Sequence, residues 1–321
     1  MYGRESQPPA GPPRMLAEIA SRVRRIGRKL RAPFRRDRPP PQSQPPVRYG
    51  AYLGDHRYLA TTAYGQWMYL DTRDITLTPH VILRGLWEPV VTEVILSHLR
   101  PGMRVVEVGS NQGWYTLLMA RQVGPTGRVT SFEANKDLVR LVRDSASING
   151  YLYQVALHAV AVGDTSGDAT FYVRERYLGN SSLGQIDRPF LDYLHDDQRE
   201  VTVPKVSLDE FLQGDDCRID FLKVDAEGAE PLIVRGMERL LRENDRIVIV
   251  MEYSPIQMRT AGSDPEGFVT FLHGLGFHVH RIEDTGGLTR MTADDLRSDA
   301  HFDILLTRSE LGVPDSESRA P

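Results

Sequence analysis

The stretch RVVEVGSNQGWYTLLMA, residues 104–120, determines the fold class of this chain. It begins with a short apolar run, turns between Gly109 and Gly113, and continues as a helical segment. Glycine lets a backbone turn tightly and approach a ligand without a Cβ in the way. The stretch therefore predicts a strand, a turn that faces a ligand, and a helix.

Strand-like and helix-like segments alternate along the rest of the chain. The strands are predicted at 64–70, 105–108, 128–132, 157–162, 169–173, 221–224 and 246–251, with a closing pair at 277–281 and 302–307. The helices are predicted at 85–99, 114–121, 136–149, 231–241 and 265–275. This order predicts an α/β fold with a doubly wound, mostly parallel sheet and a closing antiparallel pair.

The composition is that of a soluble globular enzyme. The chain has 321 residues, a formal net charge of −4 and a single cysteine, Cys217. The charge gives no reason to expect a nucleic-acid partner, and one cysteine excludes an internal disulfide and a cysteine-based zinc cluster. No window approaches the ~20 apolar residues of a membrane span. We expect a cytoplasmic protein.

The N-terminal segment 1–46 is rich in proline and arginine and is expected to be largely disordered. Within it, residues 15–31 predict a basic amphipathic helix with a narrow apolar stripe. Such a helix either lies at the inner membrane face, as a peripheral contact, or is a solvated tail that is only partly helical. A lead-in at 47–84, the main domain at 85–308 and a disordered tail at 309–321 complete the organisation.

The first turn carries the residues expected to hold a ligand, because ligands bind beyond the carboxyl ends of parallel strands. These residues are Glu107, Gly109, Ser110, Asn111 and Gly113. The dinucleotide pattern G-x-G-x-x-G is absent, which argues against a nucleotide-dependent oxidoreductase. An acidic residue two positions before the first glycine is instead typical of methyltransferases, where it favours the positively charged amino-acid end of S-adenosylmethionine. The alternative is an ordinary turn that happens to contain two glycines.

Two further strand ends add contacts for a nucleoside. Glu133 follows the second strand, 26 positions after Glu107, where a carboxylate can accept both hydroxyls of a ribose. The third strand ends at Ala161, a candidate wall for adenine, with Asp164 a candidate contact for its amino group. Gly163-Asp164 is also a common turn sequence.

The fourth and fifth strands end in acidic residues. The string KVDAEGAE, residues 223–230, places Lys223, Asp225 and Glu227 together, and the fifth strand leads to Glu252. Carboxylates as close as Asp225 and Glu252 repel each other unless a proton, a cation or a donor joins them. Glu230 is interpreted as compensating a helix dipole.

The chain resembles the FkbM family of S-adenosylmethionine-dependent O-methyltransferases over about residues 85–253, most specifically in the string at 223–230. The resemblance implies a Rossmann-like class I methyltransferase fold and a hydroxyl acceptor on a sugar or a natural-product scaffold. Two positions depart mildly from the family pattern, which usually has aspartate at Glu107 and proline at Ala134. The N-terminal segment lies outside the match.

An alcohol needs a base or a metal to remove its proton before it attacks the methyl group. Asp225 is the first candidate for this base, ahead of Lys223 and His80, and Glu252 is expected beside it. A magnesium ion on Asp225, Glu252 and Glu227 is the alternative, since these ligands are all oxygens.

Residues 172–198 form a long, irregular insertion that predicts a substrate lid. Its candidate sugar contacts are Arg174, Arg176, Tyr177 and Asn180. The same residues fit a solvated surface loop. A second class of function, a membrane-attached or scaffold protein whose core only binds the cofactor, is favoured by the basic helix at 15–31. The acceptor's identity and the oligomeric state do not follow from the sequence.

Overall fold

The computed structural model describes residues 49–292, 295–297 and 300–309. The predicted N-terminal segment, its helix and nearly all of the C-terminal tail lie outside these residues, so they stay predictions. Within the described ranges, no helix has the length and apolarity to cross a membrane.

The structure has three sheets and helices packed around the largest of them. The strands are β1 Gly50–Gly54, β2 Arg57–Thr61, β3 Trp67–Asp71, β4 Arg104–Val108, β5 Arg128–Phe132, β6 Val155–His158, β7 Ala161–Val162, β8 Gly167–Arg174, β9 Gln198–Val206, β10 Phe221–Val224, β11 Val248–Tyr253, β12 His278–Ile282, β13 Leu288–Arg290 and β14 Phe302–Thr307. The α-helices are α1 Leu77–Arg84, α2 Pro89–His98, α3 Trp114–Val123, α4 Lys136–Ile148, α5 Arg188–Leu194, α6 Leu208–Phe211, α7 Glu230–Arg235, α8 Glu238–Glu243, α9 Pro255–Thr260 and α10 Pro265–Gly274.

The central sheet has eight strands in the order β13-β12-β14-β11-β10-β4-β5-β6. The five strands from β11 to β6 are parallel, and β14 runs antiparallel between β11 and β12. The doubly wound sheet and its closing antiparallel pair are therefore confirmed. The chain moves outward from β4 in one direction and returns at β10 in the other, so the switch point lies between these two neighbours.

Both faces of the central sheet are buried. Adjacent strand residues point to opposite faces, so Phe221 and Val250 pack on the side of α1, α2 and α3, whereas Leu222 and Ile249 pack against α6 to α10. Two covered faces explain why these strands are runs of apolar residues with no polar alternation.

Glycine changes the extent of two predicted helices. The helix predicted at 85–99 begins only at Pro89, because Gly85, with a φ of 67°, ends the preceding helix α1, which was not predicted. The helix predicted at 231–241 is interrupted at Gly236, where a Cβ would lie 2.0 Å from the carbonyl oxygen of Gly163. Close packing therefore overrides the local helical pattern.

Three predicted strands differ in extent. The strand predicted at 157–162 is divided between β6 and β7, which belong to different sheets. The strand predicted at 64–70 begins only at Trp67, because a turn closed by the hydrogen bond from Thr62 N to Gln66 O precedes it. β11 continues to Tyr253, so Glu252 lies within this strand and not after it. The three-stranded sheet β7-β9-β8, built partly from the insertion, was not predicted as a sheet.

The lead-in is joined to the first turn through the buried side chain of Gln112. Its Oε1 accepts a hydrogen bond from Asp71 N at 2.7 Å, and its Nε2 donates to Asp74 Oδ2 and Thr78 Oγ1, both at 3.0 Å. All four residues are buried. Because buried polar groups are costly when left unpaired, Gln112 fixes the turn against the lead-in.

Replacing Gln112→Leu removes these three bonds while keeping an apolar volume. We expect a loss of about 1–3 kcal/mol in the free energy of unfolding, since the buried Asp71 N–H loses its acceptor, whereas Asp74 and Thr78 keep other bonds. Urea denaturation measures this loss, with Gln122→Leu on the exposed surface of α3 as the control. Equal stability of the two variants would contradict this role for Gln112.

Candidate functional site

Four residues form a row across the carboxyl edge of the central sheet. The pairing register places Gly109, Asp225, Glu252 and Asp303 side by side, directly beyond or at the ends of β4, β10, β11 and β14. Side chains on one row point to the same face of a sheet. The switch point therefore carries three neighbouring carboxylates beside a glycine.

The turn after β4 depends on positive φ angles at Gly109 (83°), Asn111 (49°) and Gly113 (91°). A Cβ on Gly109 would lie 1.8 Å from the carbonyl oxygen of Asp225, and one on Gly113 would lie 2.9 Å from the Val142 side chain. The turn thus approaches β10 so closely that only glycine fits at 109.

Glu133 follows β5 and is held from both sides. Its Oε2 accepts from Asn111 N and its Oε1 from Asn135 N, each at 2.8 Å. Burial raises the pKa of this carboxyl to about 7, and the two backbone donors oppose the rise. Each oxygen retains a second lone pair, so the carboxylate is oriented to accept two further hydroxyl donors.

A cleft joins the turn, Glu133 and Asp225. The turns after β4, β5 and β10, the start of β7 and part of the insertion line it. Its lining includes Gly109, Asn111, Phe132, Glu133, Ala134, Val160, Ala161, Phe171, Leu178, Gly179, Ser181, Leu183, Asp225 and Ala226. The cleft is polar at the turn and apolar around Ala161, as a nucleoside with a charged tail requires.

Glu107 does not line this cleft. It is fully buried, and its Oε2 accepts from Thr116 Oγ1 at 2.5 Å and Ser131 Oγ at 2.8 Å. Burial raises its pKa above the ordinary value, although Lys223 opposes this. Glu107 joins α3 to β5 beneath the turn, and its Oε1 is buried without a hydrogen bond from any residue in the described ranges. Its contact with the amino-acid end of the cofactor stays a prediction.

Asn111 carries a buried acceptor that faces the cleft. Its Oδ1 is buried and accepts no hydrogen bond from any residue in the described ranges, and Asn111 lines the cleft. An unpaired buried acceptor costs free energy that a bound donor would recover. The ammonium of an amino acid is such a donor.

The other predicted cofactor residues differ in position. Ala161 lines the cleft as predicted. Ser110 is buried in the turn, and Gly113 caps α3; neither belongs to the cleft lining. Asp164 lies outside the cleft, and its Oδ1 pairs with Lys205 Nζ at 3.3 Å. The contact of Asp164 with adenine stays a prediction.

Lys223 holds Asp225 in place. Its Nζ lies 3.0 Å from Asp225 Oδ2 and 4.7 Å from the centre of the Tyr115 ring. Burial lowers the pKa of Lys223, but Asp225, Glu107 and Glu88 outweigh it and raise the pKa. A raised pKa disfavours Lys223 as a base, and its role in the reaction stays a prediction.

The predicted carboxylate cluster does form. Oxygens of Asp225, Glu227 and Glu252 lie within 4.8 Å of one another. Each carboxylate also has a partner within the protein. Asp225 pairs with Lys223, and Glu252 Oε1 lies 3.2 Å from His301 Nε2. Glu227 accepts hydrogen bonds from Asn180 and Gln257. These donors satisfy the condition that close carboxylates need a cation or a donor.

Two residues of this edge were missed in the sequence. His301 precedes β14 and contacts Glu252, and Asp303 is paired with Glu252 in the register of β11 and β14. The signal was weak because both residues begin a closing strand, far along the chain from the acidic string. His80, the third candidate base, lies on α1 with its ring 5.3 Å from that of Trp87.

The insertion does reach the cleft. The 3-10 turn Leu178–Asn180 and the residues up to Leu183 contribute to the lining, as expected of a lid. The guanidinium of Arg174 is buried, and its Nε pairs with Asp196 at 2.7 Å. Arg176 is exposed and donates to the His195 carbonyl. Glu230 accepts from Ala226 N and Gly228 N, so it caps the turn before α7.

Comparison with known proteins gives partial matches to curated methyltransferases. A protein-L-isoaspartate O-methyltransferase from Triticum aestivum is 28% identical over 114 residues, which is 32% of this chain and 46% of that protein. The ubiquinone/menaquinone biosynthesis C-methyltransferase UbiE from Cupriavidus metallidurans is 31% identical over 23% of this chain and 30% of its own. The chain thus spans less than half the length of these relatives.

Among solved structures, the O-methyltransferase TomG from Streptomyces achromogenes, in complex with SAM, is similar with a TM-score of 0.40 and 16% identity. The alignment covers 70% of this chain and 82% of TomG. The sequence profile of the methyltransferase FkbM domain matches residues 107–279, more than half of the chain. The match includes the turn after β4, Glu133 and the cluster of Asp225, Glu227 and Glu252, here named the acidic edge. The chain therefore belongs to the FkbM family of S-adenosylmethionine-dependent methyltransferases.

Proposed function

We propose that this protein transfers the methyl group of S-adenosylmethionine to a hydroxyl of a carbohydrate or a glycosylated natural product. The observation that carries the proposal is the cleft itself, which has the doubly held carboxylate of Glu133 at one point and Asp225 at another. Family membership supports methyl transfer. Beyond family membership, we propose that the acceptor atom is an oxygen and that the substrate carries a sugar.

The residues present fit the cofactor. Glu133 would accept the two ribose hydroxyls, and Asn111 Oδ1 would accept from the ammonium of the methionine part. Ala161, Phe171 and Leu183 would enclose the adenine with apolar surface. The bound sulfonium supplies an activated methyl group, so the protein's task is to place a nucleophile in line with it.

Asp225 is the residue proposed to receive the acceptor's proton. Lys223 fixes its Oδ2, and no residue in the described part of the chain donates a hydrogen bond to Oδ1. Asp225 also lines the cleft, whereas Glu252 lies one strand further along the row. An oriented carboxylate with one available oxygen suits contact with a hydroxyl.

Magnesium on Asp225, Glu227 and Glu252 is the competing proposal for the same step. The spacing of their oxygens permits it, but Lys223, Asn180 and Gln257 already occupy part of this ligand set. We favour the metal-free arrangement. Full turnover in excess chelator supports it, and loss of turnover that only added Mg²⁺ restores would contradict it.

The sugar acceptor is proposed from the polar edge that the lid faces. Asp225, Glu227 and Glu252 offer acceptors to several hydroxyls at once, as polyhydroxylated ligands require. Incubating the protein with S-adenosylmethionine and a panel of sugar-bearing acceptors, followed by mass measurement and location of the new methyl group by NMR, tests this. A methyl gain on a nitrogen or carbon atom, and on no hydroxyl, would contradict it.

A cytoplasmic location, with peripheral membrane contact through residues 15–31, is also a proposal. It depends on the basic amphipathic pattern alone. Deleting residues 1–46 should release the protein from anionic liposomes and leave turnover intact. Unchanged liposome binding would refute the contact.

Gly109→Ala tests the close approach of the turn to β10. The new Cβ would meet the Asp225 carbonyl at 1.8 Å, so we expect the variant to lose measurable cofactor binding. Gly150→Ala is the matched control, since its φ is also positive (76°) but nothing lies within 4 Å of the added Cβ. Calorimetric titration with S-adenosylhomocysteine measures both, and similar affinities would contradict the account.

The role of Glu133 predicts a pH dependence of cofactor affinity. Only the ionised carboxylate accepts from both ribose hydroxyls, so affinity is full above pH 7 and falls as the pH drops through the Glu133 pKa of about 7. At about pH 6 the dissociation constant should be about tenfold higher. Glu133→Gln should bind weakly at both pH values and lose this dependence. A wild-type affinity that does not change with pH would contradict it.

Asp225→Asn should lower kcat by about a hundredfold or more while leaving cofactor affinity nearly unchanged. The amide keeps the shape of the side chain but does not take a proton. Asp168→Asn, on the exposed part of β8, is the control. A kcat within about twofold of the wild type would remove Asp225 from the chemistry.

A further inference from the structure

The residues 178–183, here named the lid segment, cover the cleft from the side of β8. Leu178, Gly179, Ser181 and Leu183 all line it. A Cβ on Gly179 would lie 2.8 Å from Asn111 Nδ2, so the lid segment is in contact with the turn that holds the cofactor. A cofactor in this cleft would lie beneath the lid segment.

The lid segment is anchored firmly at its base. Tyr172 and Ser182 exchange backbone hydrogen bonds at 2.9 and 3.2 Å, and Ser181 Oγ accepts from Arg174 N. Arg174 is itself held by the buried ion pair with Asp196. These bonds hold the lid segment to its own sheet, and a separate contact joins its tip to the opposite wall.

That contact is made by Glu227. Its Oε1 accepts from Asn180 Nδ2 at the tip of the lid segment, at 2.8 Å, and its Oε2 accepts from Gln257 Nε2 on α9. One carboxylate therefore joins three parts of the chain: the lid segment, the turn after β10, and the helix after β11. The acceptor edge and the lid segment meet at this residue.

The backbone at Glu227 is held in an unfavourable conformation. Its φ is +52°, in the left-handed region, and Gly228 follows with a φ of +104°. A Cβ on Gly228 would lie 2.4 Å from the Gln257 carbonyl oxygen. A non-glycine residue in this region costs free energy and persists where the surrounding structure requires it. The conformation directs the Glu227 side chain toward Asn180 and Gln257.

Capping of α7 does not account for Glu227, because Glu230 already accepts from the backbone N–H groups of Ala226 and Gly228. We propose that Asn180, Glu227 and Gln257 form a latch that holds the lid segment closed over the bound cofactor. They are positioning residues for the proposed methyl transfer, on which this inference rests. Closure keeps water from the sulfonium and retains the cofactor until the acceptor has reacted.

Asn180→Asp tests the latch with a near-isosteric change. It places a second carboxylate against Glu227 Oε1, so the tip of the lid segment is repelled. We expect S-adenosylhomocysteine to dissociate at least about tenfold faster, because facing like charges are strongly unfavourable. Stopped-flow displacement of bound S-adenosylhomocysteine measures this rate without any acceptor.

The double variant Asn180→Asp with Glu227→Gln restores a donor and an acceptor in exchanged positions. We expect its dissociation rate to return to within about threefold of the wild type, as a coupled pair requires. Gln185→Glu is the control for added charge, because it makes the same amide-to-carboxylate change at an exposed position nearby. Its rate should match the wild type.

Three results separate the possible failures. A folded Asn180→Asp variant with an unchanged dissociation rate overturns the latch, and so does a double variant as fast as the single one. A Gln185→Glu variant as fast as Asn180→Asp would assign the effect to charge alone and also overturn it. A wild-type protein that binds neither S-adenosylmethionine nor S-adenosylhomocysteine instead overturns the proposed function.

Discussion

The contact between the Gly109 backbone and the Asp225 carbonyl is the constraint on which the site depends. It brings the turn after β4 against the end of β10, where the strand order reverses. Gly109 and Gly113 adopt positive φ angles without steric cost, and the cost of the positive φ at Asn111 is offset by the buried bonds of Gln112 and Glu133 to the same turn. The cleft and the acidic edge therefore both depend on the packing of Gly109 against Asp225.

Charge compensation explains how three carboxylates share the acidic edge. Lys223 is paired with Glu107 in the sheet register, and its Nζ contacts Asp225. Both carboxylates raise the pKa of Lys223 and so favour its charged form. Amide donors and His301 complete the compensation for Glu227 and Glu252. The residues of the string at 223–230 thus have different roles. Lys223 orients Asp225, which lines the cleft. Glu227 binds the lid segment, and Glu230 caps the turn before α7.

The sequence predicted the sheet, the turn and the position of Glu133, because these follow from apolar runs, glycines and residues adjacent in the chain. It did not predict that Glu107 faces inward, since side-chain direction at that point depends on Thr116 and Ser131. The contacts of His301 and of the latch could not be predicted from the sequence for a similar reason. These contacts join residues 30 or more positions apart, whose meeting depends on how loops pack.

A crystal structure with S-adenosylhomocysteine tests the central claim most directly. The account predicts both ribose hydroxyls within hydrogen-bonding distance of the Glu133 carboxylate, the amino group at Asn111 Oδ1, and the sulfur facing Asp225. A ligand bound elsewhere, or one whose ribose makes no contact with Glu133, would contradict the account.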